Sequence, residues 1–364
     1  MNADVQIVVA THQAERPVER AVAQVLACPQ AAAIVVAHNL DQEVVKHRLR
    51  GLDTSRITLI SCLRGAEHPG VPFNVGIAAA SAPWVGVMGS DDWFDEGALA
   101  AYVSRARHDK ADGVIAPLRH PATGKGRLPF TARTNNLHPV RDRLFYRTAP
   151  LGIFRTDIMQ DPDMAFAEDV ETGEDQRVSL RLWTSHLQIS YSFADPAYVV
   201  GADAEKRVTL TPRPAAQLAE LWERMWDDPV TRQLPQDVRF ALAVKQARIE
   251  LLSAVRARLG GGPDDARDTH QEADYVALCS VAQRLAAEAP GFSGVFQPGT
   301  ARILQALIEG DKLAIDQALS REFALPPVRR ALPSRLRYMC NVESPLRYWA
   351  TGRHIARSEG KERV

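Results

Sequence analysis

The sequence of 364 residues lacks the marks of several common protein classes. No run of about 18 apolar residues is present that could cross a bilayer, and the N-terminus has neither the basic region nor the length of a signal peptide. The cysteines are few, far apart and never in a C-x-x-C pair: Cys28, Cys62, Cys279 and Cys340. A disulfide scaffold and a structural zinc site are therefore not indicated, and we expect a protein of the reducing cytoplasm.

A net charge is also lacking, because 44 lysines and arginines balance 44 aspartates and glutamates. Bulk charge thus gives no reason to expect a nucleic-acid partner. The balance conceals an asymmetry, since residues 329–364 contain nine basic and three acidic side chains. We expect a basic tail at 328–364. Its interleaved apolar residues fit a peripheral contact with an anionic membrane, and its charge fits pairing with the acidic body within the chain or across a homo-oligomer.

The first 120 residues alternate between short β-branched runs and helical patterns, which is typical of a parallel sheet with crossover helices. Strands are predicted at 5–10, 34–37, 57–61 and 84–88. Helices are predicted from residue 15, at 42–49, at 74–82 and from about residue 96. We therefore expect an α/β fold in this part of the chain.

The rest of the chain changes character twice. A Gly-, Pro- and Arg-rich stretch at 117–143 predicts a long loop or lid, and a strand at 151–154 and a helix at 176–185 follow it. Beyond Pro212 the pattern is helical, at 215–226, 236–259, 268–289 and 300–323. We predict an α/β domain over 1–212, a helical domain over 213–327 and the basic tail.

Asp91 and Asp92 come directly after the predicted strand at 84–88. Ligands of open α/β sheets bind at the carboxyl ends of the strands. Adjacent carboxylates repel each other unless a cation neutralises them, and their oxygens suit Mg²⁺ or Mn²⁺ bridged to substrate phosphates. The same residues would also serve as the N-terminal cap of the helix near residue 96. These residues alone leave both interpretations open.

Four stretches between residues 5 and 92 resemble the nucleotide-binding half of a GT-A glycosyltransferase of the inverting family 2. Residues 8–13 (VVATHQ) stand where the family has its first strand, and residues 34–36 (IVV) are similar to the strand that leads to its nucleoside-binding carboxylates. Residues 74–80 (NVGIAAA) parallel its Arg-Asn-x-Gly-Ile-x-x-Ala helix. Residues 88–93 (MGSDDW) parallel its Asp-Ser-Asp-Asp strand end, which binds metal and the donor phosphates.

The resemblance implies a donor-binding half at 1–95, an acceptor half at 96–212, and a site for Mn²⁺ or Mg²⁺ on Asp91 and Asp92. A basic residue and a hydroxyl close over the diphosphate in many relatives, and residues 206–209 (KRVT) resemble that segment, although a solvated loop with ordinary surface charges is an open alternative. The donor-binding residues implied in this way are Thr11, His12, His38, Asn39, Asn74, Ser90, Asp91 and Arg207.

A fifth stretch, residues 174–183 (EDQRVSLRLW), resembles the family's Glu-Asp-x-x-x-x-x-Arg-x-Trp segment. The resemblance implies that Asp175 is the catalytic base, and we expect Glu174 to help position the acceptor. A sugar hydroxyl is a poor nucleophile, so a carboxylate within hydrogen-bond reach has to accept its proton during attack. Asp175 could also cap the helix predicted from residue 176, and the two roles are compatible.

The sequence departs from the family pattern at Gly89, at Ala37 and His38, and at Phe73, where the family has Asp, Asp-Asp and often Arg. UDP is therefore a default donor. We expect a cytoplasmic, metal-dependent enzyme that transfers a sugar from a nucleotide donor to a hydroxyl of a bacterial surface glycan, wall polymer or lipid-linked acceptor, with inversion. A nucleotidyltransferase on a similar scaffold and a non-catalytic GT-A-like binding protein are the alternatives, and these departures favour the second.

Overall fold

The computed structural model describes residues 3–63, 68–201, 213–259 and 269–362. Packing divides the chain into two compact units. The first comprises Met1–Pro129, Arg133–His138 and Tyr146–Thr211, and the second comprises Phe130–Ala132, Pro139–Phe145 and Pro212–Val364. Within the described residues, no helix is long and apolar enough to cross a membrane.

The first unit contains eleven strands and six helices among its described residues. The strands are β1 (Val5–Thr11), β2 (Ala31–His38), β3 (Ile57–Cys62), β4 (Trp84–Gly89), β5 (Trp93–Phe94), β6 (Gly113–Ile115), β7 (Leu118–His120), β8 (Gly124–Gly126), β9 (Gly152–Arg155), β10 (Ile189–Tyr191) and β11 (Tyr198–Val199). The helices are α1 (Val18–Leu26), α2 (Gln42–Arg48), α3 (Gly70–Ala78), α4 (Ala98–Asp109), α5 (Thr156–Met159) and α6 (Glu174–Thr184). Short 3₁₀ turns cover Thr54–Arg56 and Pro162–Met164.

Seven strands form one sheet in the order β10-β6-β9-β4-β1-β2-β3. All neighbours in it are parallel except β9, which is antiparallel to β4 and β6. The strands β1 and β2 are buried along most of their length, because helices cover a parallel sheet on both faces. A second sheet has the order β5-β11-β7-β8. The predicted α/β fold with a mostly parallel sheet is confirmed.

The second unit is helical over its described residues, as predicted. Its helices are α7 (Ala215–Asp227), α8 (Pro229–Gln233), α9 (Gln236–Gln246), α10 (Leu252–Leu259), α11 (Thr269–Glu288), α12 (Pro298–Glu309), α13 (Lys312–Ser320), α14 (Pro327–Arg330) and α15 (Pro345–Glu362). A π-helical turn at Ala247–Leu251 joins α9 to α10, and 3₁₀ turns cover Phe292–Val295 and Leu336–Tyr338. A further 3₁₀ turn at Leu144–Tyr146 spans the boundary between the units in sequence.

Two predictions for the second unit need correction. The helix predicted at 300–323 is divided into α12 and α13, because Gly310 adopts a φ of 67° and the Asp311 carboxylate caps α13 by accepting from the Ala314 amide at 3.0 Å. The tail predicted at 328–364 is not separate from the helical unit. Glu343 and Ile355 are buried within that unit, so this segment contributes to its core.

Gly76 allows α3 to pack directly against β1. A Cβ atom at this position would lie 2.2 Å from Val8 Cγ1 and 2.9 Å from Val8 Cγ2. Both distances are far below van der Waals contact, so no larger residue fits without movement of the helix or the strand. The close approach of α3 to the sheet therefore depends on this glycine.

We expect Gly76→Ala to lower the free energy of unfolding by roughly 1–3 kcal/mol, because the added methyl group overpacks a rigid interior. Chemical denaturation followed by circular dichroism measures this loss. Val8→Ala removes the two methyl groups that the new Cβ would meet, so the double variant should be more stable than the sum of the single losses indicates. Strictly additive losses would contradict this contact.

Candidate active site

A cavity of about 340 Å³ lies in the first unit, where the parallel strands β1, β2 and β4 end. Thr11, His38 and Gly89 are the last residues of these strands, and all three line the cavity. Its other walls include residues from α3, from segment 149–151 and from the start of α6. The cavity thus occupies the edge of the sheet at which ligands of α/β proteins bind.

Asp91 and Asp92 follow β4 directly and both line the cavity. Arg16 Nη1 lies 3.0 Å from Asp91 Oδ1 and forms an ion pair with it. Asp92 Oδ2 accepts a hydrogen bond from the Tyr198 hydroxyl at 2.5 Å, and Asp92 Oδ1 accepts one from the Gly201 amide at 2.7 Å. Each carboxylate is therefore held in place by its own donors.

The position of Asp92 makes its charge costly. Burial raises the pKa of Asp92 to about 6; the hydrogen bond from Tyr198 opposes this increase, whereas the neighbouring Asp91 charge adds to it. Within the described residues, no cluster of three or more His, Cys, Asp or Glu side chains could hold a metal. Two carboxylates are nevertheless the protein ligands with which Mg²⁺ is commonly bound when substrate phosphates and water complete its shell.

Neither of these aspartates caps a helix. The helix α4 begins at Ala98, and its N-cap is Gly97, which has a φ of 77° and offers no side chain. The capping interpretation left open by the sequence is therefore excluded for Asp91 and Asp92. It is excluded for Asp175 as well, because α6 begins at Glu174 after Gly173, two residues earlier than predicted.

Glu174 and Asp175 form the first turn of α6, and both half-buried side chains line the same cavity as Asp91 and Asp92. Burial raises the pKa of Glu174. The Glu174 carbonyl accepts from the Ala167 amide at 3.0 Å, which joins the start of the helix to the preceding loop. Two pairs of carboxylates from distant parts of the sequence thus face one cavity.

The remaining residues predicted to bind the donor fall into two groups. Thr11, His12 and His38 line the cavity. Asn39 and Ser90 do not line it. Asn39 turns the chain after β2 with a φ of 51°, and Ser90 is buried between the end of β4 and the aspartate pair.

Asn74 has a different environment from the one predicted. Its Nδ2 donates to the Phe166 carbonyl and to Glu168 Oε1, both at 2.9 Å, and its Oδ1 accepts from the Phe166 amide at 2.9 Å. Asn74 thereby fixes the loop that places Phe166 in the cavity wall, and does not itself line the cavity. Arg207 and its neighbours lie outside the described residues.

Two glycines set the space around the aspartate pair. A Cβ atom at Gly89 would lie 3.0 Å from Asp92 Oδ2 and 3.2 Å from Asp91 Oδ1. The aspartate that the family has at this position would therefore have its Cβ atom next to both carboxylates. A Cβ atom at Gly201 would lie 1.9 Å from the Asp91 carbonyl oxygen. The hydrogen bond from the Gly201 amide to Asp92 therefore requires a glycine at that position.

Arg16 and Tyr198 are cavity residues that the sequence analysis did not identify. Arg16 stands two residues before α1, where the helix dipole disfavours a cation. This unfavourable position was a signal that Arg16 has a nearby anion. The strand β11, which carries Tyr198, is two residues long and gave no periodic pattern.

Comparison with known proteins agrees with the GT-A-like α/β fold expected from the sequence. The family model described as "Glycosyl transferase family 2" matches residues 6–165. Two curated relatives from Staphylococcus aureus, both named poly(ribitol-phosphate) beta-N-acetylglucosaminyltransferase TarS, are 26% identical over 142 residues, which is 38% of this chain and 24% of each relative. The chain thus matches about a quarter of the length of these relatives.

Solved structures extend the likeness to the helical unit. Crystal structures of S. aureus TarS 1–349 in complex with UDP-GlcNAc and with UDP match with TM-scores of 0.70 and 0.67. Each match covers 88% of this chain and 91% of that chain at 14% sequence identity, which establishes a common fold. The α/β unit of the chain therefore matches the model of glycosyltransferase family 2 over residues 6–165 and has a GT-A-like fold in common with the TarS structures.

Proposed function

We propose that the chain is an inverting glycosyltransferase, active in the cytoplasm, that transfers a sugar from a UDP-linked donor to a hydroxyl of a bacterial surface glycan, wall polymer or lipid-linked acceptor. One observation carries the proposal: Asp91, Asp92, Glu174 and Asp175 all line a single cavity of about 340 Å³. The first pair has the chemistry to hold a metal and a diphosphate, and the second has the chemistry to accept a proton.

The donor would enter the cavity with its nucleoside at the ends of β1 and β2. His12 and His38 line this part of the wall, and their ring nitrogens can donate to or accept from a base or a ribose. Ala37 stands where the family has a carboxylate, so any base recognition by the chain would rely on such groups. TarS has been crystallised with UDP-GlcNAc and with UDP, which makes UDP-GlcNAc the first donor to test.

Asp91 and Asp92 would hold Mn²⁺ or Mg²⁺ against the donor diphosphate. A divalent metal bound there would neutralise the charge that develops on the leaving nucleoside diphosphate. Tyr198 and Gly201 keep Asp92 in place for this role. Arg16, whose side chain lines the cavity beside Asp91, would contribute a further positive charge to the diphosphate.

Asp175 would act as the base. Its carboxylate would accept the proton of the acceptor hydroxyl as that oxygen attacks the anomeric carbon and the diphosphate departs from the opposite face. The product would therefore have the inverted anomeric configuration. Glu174, adjacent to Asp175 on the first turn of α6, would hold the acceptor through a hydrogen bond.

The acceptor is the least defined part of the proposal. The name of the relatives identifies poly(ribitol-phosphate) as the substrate of TarS, so polyol-phosphate polymers are the first acceptors to test. The helical unit would bind the acceptor or a second copy of the chain.

The decisive experiment measures nucleotide binding before turnover. Thermal unfolding with UDP, GDP, dTDP or CDP, each with and without Mn²⁺, should give a metal-dependent stabilisation by UDP, of about 2.7 kcal/mol at a hundredfold excess over Kd. Incubation with UDP-GlcNAc and the acceptor polymer should then release UDP. Release of pyrophosphate would indicate a nucleotidyltransferase, and no binding of any nucleotide would indicate a non-catalytic protein.

In Asp92→Asn we expect higher stability together with loss of metal-dependent UDP binding. With EDTA present and the pH above the Asp92 pKa of about 6, the variant no longer buries a charge beside Asp91 and should gain up to about 3 kcal/mol. Because burial raises this pKa above its ordinary value of 3.8, wild-type stability falls as the pH rises through 6. The advantage of the variant should therefore shrink as the pH falls below 6 and vanish below 3.8, and thermal unfolding at a series of pH values across this range measures it.

Asp95→Asn is the matched control, because Asp95 forms an ion pair with Arg119 and does not line the cavity. This variant should lose stability at neutral pH and keep UDP binding. Asp92→Asn variants that lose stability at neutral pH, or that retain metal-dependent UDP binding, would contradict the role given to Asp92.

In Asp175→Asn, the transfer rate should fall by a factor of at least 10²–10⁴, the usual contribution of a general base, while the Kd for UDP with Mn²⁺ stays unchanged. Glu174→Gln is the comparison, since it should raise the KM for the acceptor more than it lowers kcat. Initial rates of UDP release and calorimetric titration with UDP measure both. Equal losses of donor affinity and transfer in Asp175→Asn would indicate a donor-binding role instead.

In Arg16→Ala, we expect the affinity for UDP to fall at least tenfold while the affinity for uridine is unchanged, because only UDP carries the diphosphate that the guanidinium would meet. Arg16→Lys should lose less, since it keeps the charge but not the planar fork. Arg50→Ala, at an exposed arginine of the same unit outside the cavity wall, is the control. A parallel loss for uridine would mean that Arg16 acts by shaping the cavity.

A further inference from the structure

Three large apolar side chains are exposed along residues 323–337 of the second unit, a segment that contains the short helix α14 and is here called the arginine loop. Phe323 is 63% exposed, Val328 76% and Leu336 68%. Exposed apolar residues are ordinary when scattered singly, but three within 14 positions of one loop form a surface that gains free energy when it leaves water.

The charged residues of the arginine loop are all of one sign. It contains Arg329, Arg330, Arg335 and Arg337, and no acidic residue occurs between Glu322 and Glu343. Glu322 and Glu343 are buried and form ion pairs with arginines outside the loop. Over the part of the chain that the structure describes, no ion pair involves any of the four loop arginines.

Both ends of the arginine loop are fixed to the same short segment, residues 294–300. On one side, the Glu322 carboxylate accepts from Thr300 Oγ1 at 2.7 Å. On the other side, the Ser334 amide donates to the Phe296 carbonyl at 2.7 Å and the Arg335 amide donates to the Gly294 carbonyl at 3.1 Å. These bonds hold the ends of the arginine loop close together, so its exposed apolar and cationic side chains belong to one local region of the second unit.

We propose that the arginine loop docks the protein onto an anionic lipid surface. Arginines beside a membrane of negative potential contribute roughly fivefold each to binding, at about 1 kcal/mol per residue. Phe323, Val328 and Leu336 would enter the headgroup boundary between those charges. A soluble polyanion could use the arginines but would leave the apolar side chains in water, so the combination favours a membrane. The proposal does not depend on the glycosyltransferase activity.

Co-sedimentation of the full chain with vesicles tests the proposal. The protein should bind vesicles of equimolar phosphatidylcholine and phosphatidylglycerol, bind pure phosphatidylcholine vesicles far less, and dissociate at high salt. Arg329→Gln with Arg330→Gln should lower the partition coefficient by about 25-fold, the product of two arginine contributions. Leu336→Ser should lower it severalfold without any change in charge.

Control variants in the first unit test whether the loss of vesicle binding is specific to the arginine loop. Arg50→Gln with Lys110→Gln removes two exposed charges of the first unit, and Leu63→Ser removes an exposed leucine there; each should leave vesicle binding unchanged. All of these side chains are exposed except Arg330, which is half-buried, and thermal unfolding should show that the variants are folded.

Each of the following results would overturn the proposal. One is the absence of binding to the mixed vesicles, or equal losses in the loop variants and the controls. Another is binding to soluble polyphosphate but not to vesicles, which would assign the loop to a polyanion. The third is a dimer in sedimentation velocity that Leu336→Ser dissociates, which would assign the loop to a second copy of the chain.

Discussion

The cavity of the first unit is built around two adjacent carboxylates at the end of a buried strand. Asp91 is held by the guanidinium of Arg16, and Asp92 by the neutral donors Tyr198 and Gly201. Within the described residues Asp91 forms an ion pair and Asp92 forms none, so that part of the chain leaves the pair an anionic centre open to the cavity. Residue 201 has to be a glycine for the same reason. Its amide donates to Asp92 only if the backbone lies so close to the Asp91 carbonyl that no Cβ atom fits.

Much of this arrangement was predictable from the sequence, because burial on both faces of a parallel sheet requires continuous apolar strands. The strand ends then place Thr11, His38 and Asp91 at one edge. Arg16 and Tyr198 were not predictable in the same way. Arg16 is 75 positions from Asp91 and Tyr198 is 106 positions from Asp92. Contacts between residues so far apart in sequence produce no periodic pattern that could be recognised.

The ambiguities that the sequence left open were about helix ends. From sequence alone, an aspartate before a helix can be interpreted as a cap or as a site residue. The structure excludes the capping role, because the N-cap positions are occupied by Gly97 and Gly173, both in the left-handed region. Gly310 and Asp311 end one helix and begin the next in a pattern that sequence rules do contain. The long apolar periodicity across them concealed it.

The two units are interwoven along the chain, because residues 130–132 and 139–145 interrupt the first unit and belong to the second. Thr131 and Asp142, one from each of these segments, are joined by a buried hydrogen bond of 2.7 Å. A single cut in the gene at the boundary near residue 212 would therefore leave parts of the helical unit on the wrong fragment. An exchange of the helical unit between related genes would therefore have to replace residues 130–132 and 139–145 together with the segment beyond residue 212.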